Sequence, residues 1–160
     1  MPQLKENDIN QIMQEVVDKF LIPKFNELDM NATGRWIESL ETEARQNVGI
    51  IRGEDYSEYL HRGRGPNKNL SPEAVKAWVG WAGSTFLSDW VKAKGLVINP
   101  FAVAQNMARR GWSPPRSYGS DLLTVLESSE CIDYVRSRYT GLMRLEVKNS
   151  FERMVKEVFV

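Results

Sequence analysis

The chain has 160 residues, of which 42% are hydrophobic and 26% charged, and its formal net charge is zero. That is enough chain to bury a core without metal or disulfide staples, so one domain spanning residues 1–160 is expected. The lone cysteine, Cys131, excludes an internal disulfide and fits a reducing compartment, and neither a signal-peptide pattern nor a run of roughly eighteen apolar residues implies a membrane.

The zero charge is a sum of three unequal blocks. Residues 1–60 carry six basic and twelve acidic side chains, residues 61–120 nine and two, and residues 121–160 six and seven. A basic middle third implies a face for nucleic acid, or pairing with the acid-rich first third of the same chain or of a neighbouring copy. The zero total favours pairing.

In chain order, Asn7-Asp8 offers a helix cap, and Ile9, Ile12, Met13, Val16, Val17 and Phe20 recur at helical spacing. Pro23 removes a backbone donor and predicts a kink or an end near Leu21, with one further turn over Lys24 to Leu28. A helical turn over Asn31 to Trp36 is followed by Leu40, Thr42 and Ala44 alternating with Glu41, Glu43 and Arg45, the period of a half-exposed strand. Gln46-Asn47 reverses the chain and Val48 to Arg52 returns antiparallel, with Gly49 as a weak point.

Ser71-Pro72-Glu73 is a helix start with cap, proline and acid in favourable positions. Gly80 and Gly83 predict a kink or two helices joined near Ala82-Gly83-Ser84, the second ending at Gly95. Asn99-Pro100 starts another helix through Ala108, stopped by Gly111 and Pro114-Pro115. One or two turns follow Ser120-Asp121, then a long helix from about Glu130 that passes or breaks at Gly141, with Glu152 and Lys156 at pairing distance in sequence. The fold class is therefore α+β, mainly helical with a small antiparallel β-sheet.

Catalytic patterns are not found. The single histidine, His61, excludes sites that need two, and Cys131 beside Ile132 reads as a buried structural thiol. Gly63-Arg64-Gly65-Pro66 lacks the spacing and the lysine-hydroxyl pair of a phosphate loop. The acids Glu38, Glu41, Glu43 and Glu54-Asp55 lack a glycine-turned ligand loop and read as a solvated face. Trp78, Trp81 and Trp90 fall on helical faces as core or contact anchors, and Trp112 is the tryptophan expected to be exposed. No cofactor, metal or catalytic residue is expected.

Several segments occur in a telling order: Ala32-Thr33-Gly34-Arg35, then Asp55-Tyr56 and Tyr59-Leu60 running into Gly63-Arg64-Gly65-Pro66. They continue with Ser71-Pro72, Ala74-Val75 and Trp78, then Trp90 to Leu96, and Phe101-Ala102-Val103-Ala104 to Arg110-Gly111-Trp112. In this series the chain resembles the head-to-tail joining (neck, or tail-completion) proteins of tailed bacteriophages, over about residues 31–116. Residues between Gly80 and Asp89 and the carboxy-terminal helices depart from the family pattern.

The resemblance implies a non-enzymatic virion protein made in the host cytoplasm. It implies a homo-oligomeric ring, a dodecamer with a hexamer as the alternative, that joins portal or adaptor to tail proteins and passes genomic DNA. Gly63, Gly65 and Pro66 become a structural corner from which Arg62 and Arg64 project as exposed cations, and Arg62, Arg64, Lys68, Arg109 and Arg110 become candidates for a subunit interface or a DNA channel. At least one of Arg62 and Arg64 is expected at a subunit boundary, opposite acids such as Glu41, Glu43 or Glu54 of a neighbour. The alternative is a small DNA-binding or DNA-packaging accessory protein using residues 61–120.

Overall fold

A computed structural model describes residues 4–112 and 120–158, with side chains as far as Arg153. The expected stop at Pro114-Pro115 and the expected partner Lys156 lie outside the described residues. The chain is mainly helical with one two-stranded antiparallel sheet, and it gathers into two compact units.

The first unit takes the chain up to Lys24, Ser39–Gly53, and Leu123 onward. Helix α1 (Glu6–Val16) buries Ile9, Ile12 and Val16. It starts before the expected cap, with Lys5 at the N-cap and no side-chain bond there. Asp8 instead joins Glu6 in the first turn, where carboxylates complement the positive helix end.

Pro23 does not end this helix, because a π-helical stretch over Val17–Leu21 carries it into α2 (Ile22–Glu27). The Ile22 N–H bonds to the Val17 carbonyl five residues back, and this wider turn just ahead of the proline accommodates its missing donor. Strands β1 (Glu41–Arg45) and β2 (Val48–Arg52) pair in the expected hairpin, with Thr42 opposite Ile51 and Ala44 opposite Gly49. Gln46 and Asn47 form the turn with φ of 48° and 68°, the paired left-handed conformation that suits strand twist.

Met13 of α1 explains Gly49: a Cβ there would stand 2.5 Å from the methionine sulfur. A short 3₁₀ turn (Thr124–Glu127) leads to Ser128, whose hydroxyl accepts from the Cys131 N–H, and then to α8 (Ser129–Val158), which passes Gly141 unbroken. Cys131 is buried, as expected, and burial pushes its thiol pKa up. Glu15 ties α1 to α8. Its carboxylate accepts from Arg138 Nε (2.8 Å) and Nη2 (2.7 Å) and from the Tyr134 hydroxyl (2.6 Å).

The second unit takes Phe25–Glu38 and Glu54–Leu122. After α3 (Arg35–Glu38) and α4 (Ser57–Arg62) come α5 (Pro72–Ser84), α6 (Phe86–Ala93) and α7 (Pro100–Arg110). Ser71 Oγ accepts from the Ala74 N–H and Asn99 Oδ1 from the Phe101 N–H, so both sequence caps act as expected. The expected break falls at Thr85, whose φ and ψ of −120° and −86° leave the helical region. Ala82, Leu87 and Ala104 form a buried cluster flanked by Trp78, Val79, Val103 and Met107. Phe101 packs on Gly83, bringing the end of α5 to the start of α7, so the two helices run antiparallel.

Folding redistributes the charge blocks. The first unit holds eleven basic and twelve acidic residues and the second ten and nine, so the −6, +7 and −1 of the three sequence blocks become −1 and +1. Within the second unit Lys94 bonds Asp29 (2.7 Å) and Arg35 bonds Glu54 (3.2 Å), acids of the first third meeting cations nearby in space.

Candidate functional site

The glycine-arginine corner is built from two helix ends that leave in the same way. Helix α4 ends in Arg62-Gly63-Arg64 and α7 in Arg110-Gly111-Trp112, and both glycines have φ of 79° and ψ of −173°. Only glycine adopts this backbone readily, because a Cβ would clash with the neighbouring peptide.

Each exit aims the next residue across at the other. Arg64 and Trp112 form an antiparallel bridge, each N–H donating to the other's carbonyl at 2.7 Å. The Asn67 N–H donates to the Ala108 carbonyl (3.0 Å), so the segment after Pro66 is fastened along the end of α7. The approach is so close that a Cβ on Gly111 would overlap the Arg64 carbonyl oxygen. On the α4 side, the Ser120 N–H donates to the His61 carbonyl (2.8 Å).

The first segment of the series meets the same helix. Arg35 bonds Glu54 just before α4, and Trp36 Nε1 donates to Ser57 Oγ at 2.9 Å. Ser57 Oγ in turn donates to the Glu54 carbonyl at 2.6 Å. Desolvation, and then the Glu54 charge, push the Tyr56 hydroxyl pKa up.

The five candidate cations have different places. Arg64, expected to project from the corner, is half-buried and folds its guanidinium over Trp78 (5.1 Å to the ring centre) and Tyr59 (5.6 Å). Two aromatic faces hold a weakly hydrated planar cation better than water does, which corrects the expectation of a free charge. Arg62 is exposed and bonds Glu58 one turn back at 3.3 Å. Lys68, Arg109 and Arg110 are exposed, the two arginines in the last turn of α7 where cations suit the helix dipole.

Gly63 supplies the expected turn, whereas Gly65 has no positive φ and open space around it. Of the expected partner acids, Glu43 bonds Arg45 and Arg52, Glu54 bonds Arg35, and Glu41 is exposed. Trp112 is half-buried, with its backbone bonded at the corner, and Trp81, 58% exposed, is the outward tryptophan instead.

Sequence reasoning missed a groove of about 420 Å³ between α5 and α7. Leu70, Val75, Val79 and Ala108 supply its apolar wall, and the charged residues lining it are Lys76 and Arg109. The spacing 72, 75, 76, 79 marks one helix face, but only the pairing with α7 makes it a groove. Among the described residues no cluster of three or more histidine, cysteine, aspartate and glutamate residues could hold a metal, and no helix is long and apolar enough to cross a membrane. No family model, curated protein or solved structure matches the chain.

Proposed function

We propose that this chain is a structural protein of a tailed-phage neck, assembling as a ring between portal and tail, sealing the packaged head and leaving a channel for the genome. One observation carries the reading. The segments that make up the resemblance are scattered over some eighty residues of sequence, yet Gly63-Arg64-Gly65-Pro66 and Arg110-Gly111-Trp112 interlock through backbone bonds, and Arg35 and Trp36 fasten to the start of α4. Segments that build one corner together act as a single signature, which gives the series more weight than its separate pieces. The work is mechanical, and the corner is the rigid frame on which contact surfaces are hung.

Negative-stain images of the purified chain test the proposal. Closed rings with a central opening are the expected result, and monomers at every concentration, with no rings on addition of an isolated portal, would refute it. The DNA-binding alternative draws support from Lys68, Lys76, Arg109 and Arg110, none of which makes an ion pair among the described residues. It predicts affinity for duplex DNA that falls steeply with salt and is lost when these four are replaced by glutamine.

A further inference from the structure

We infer that the α5–α7 groove receives the α4 edge of a second copy of this chain. The inference rests on the ring reading above and gives that ring its subunit contact.

The groove combines an apolar wall of Leu70, Val75, Val79 and Ala108 with the cations Lys76 and Arg109, and no carboxylate lines it among the described residues. Arg110 stands next in sequence to its lining and Lys68 two residues from it, and both are exposed. An open apolar trough edged by cations that make no ion pair among the described residues lacks the converging polar groups of a small-molecule pocket. Duplex DNA would meet the cations but leave the apolar wall wet, so the fitting occupant brings carboxylates together with an apolar or aromatic anchor.

The chain carries such a surface on α4 and the turn just before it. Asp55 and Glu58 are exposed, Asp55 makes no ion pair among the described residues, and the Tyr59 ring between them and the corner is 47% exposed. The Glu58–Arg62 pair is solvent-exposed and worth little, so it yields to a better partner.

Within one copy no ion pair joins Asp55 or Glu58 to Lys76 or Arg109 among the described residues. The groove face of α5 carries Pro72, Val75, Lys76 and Val79, whereas Trp78, which shares the Arg64 guanidinium with Tyr59, stands about 100° round the helix from Val79. Groove and edge are thus different faces of one unit. Their pairing between copies is head-to-tail, the kind of contact that closes into a ring when the rotation allows.

Light scattering on the full chain during size-exclusion chromatography provides the test, with circular dichroism showing that each variant is folded. Wild type is expected to assemble. Lys76→Glu with Arg109→Glu, and separately Asp55→Lys with Glu58→Lys, should each weaken assembly at least tenfold, and an equimolar mixture of the two variants should regain it. If wild type forms rings and both variants do so at the same concentrations, the groove assignment is wrong while the ring reading stands. If wild type stays monomeric, both fall. If the groove variant loses affinity for a 30-base-pair duplex while its assembly is unchanged, the groove faces nucleic acid and the inference is overturned.

Discussion

In the first unit Gly49 makes room for a methionine side chain, whereas in the second Gly111 makes room for the chain's own backbone. Met13 can swing away from an added methyl group. The Arg64 carbonyl cannot, because it is fixed by its bond to the Trp112 N–H. The first unit therefore joins distant segments through side chains, with Glu15 between Arg138 and Tyr134 as its clamp, and tolerates local change. The second joins them through main chain at the corner and tolerates little.

The largest expected effect is at that corner. Gly111→Ala adds both a steric overlap and a backbone conformation closed to alanine, at about 3 kcal/mol or more. For a chain of this size that lowers the melting temperature by about 6–12 °C. A melting curve that hardly moves would show that the corner is not rigid, and the contrast between the units would vanish.

Next comes the clamp. Glu15→Gln keeps the shape but removes the charge that Arg138 and Tyr134 bond, and should cost about 1–2 kcal/mol. The Arg138 hydrogen bonds, and then that from Tyr134, hold the Glu15 carboxyl pKa below its ordinary value of 4.5. A carboxyl depressed in the folded state adds stability that is fully present above its unfolded pKa and is lost as pH falls through the lower folded one. Denaturant titrations should therefore show the wild type losing its advantage over the variant below about pH 4.5. An advantage independent of pH would place the effect in packing instead.

The smallest effect is expected at Gly49→Ala, within about 1 kcal/mol, because the displaced group is flexible and alanine suits a strand better than glycine. A loss as large as that at Gly111 would mean that Met13 is as immovable as a peptide group.

Local signals were readable in the sequence. Alternation in Leu40 to Arg45 and a two-residue turn placed the hairpin, and Ser71-Pro72 and Asn99-Pro100 placed two helix starts, because each depends on bonds within a few residues. The π-helical relief before Pro23 was not readable, since proline alone does not say whether a helix ends or widens. Nor was the position of Arg64, which depends on a tryptophan fourteen residues on being turned towards it. The charge blocks were a coarser guide: their sum favoured pairing of the basic third with the acid-rich one, and Lys94 bonds Asp29 in that way, but which cation meets which acid depends on the fold. At the site, the glycines pointed to a corner, but its second half, Gly111-Trp112, and the neighbouring groove arise only when α5 and α7 pair.

The bridge between Arg64 and Trp112 is also conditional on the helices beneath it. It closes a loop of ~50 residues, and for a flexible chain the length-dependent part of that closure costs about 3–4 kcal/mol. The three backbone bonds at the corner, including that from Asn67 to Ala108, return about 1 kcal/mol each in net terms. They do not hold the loop shut unaided. Once α5 and α7 lie antiparallel, however, the ends to be joined are already neighbours and the entropy of the intervening chain is spent on helix packing. The corner is thus a latch whose closure depends on the packed pair of helices beneath it: where α5 and α7 part, it opens.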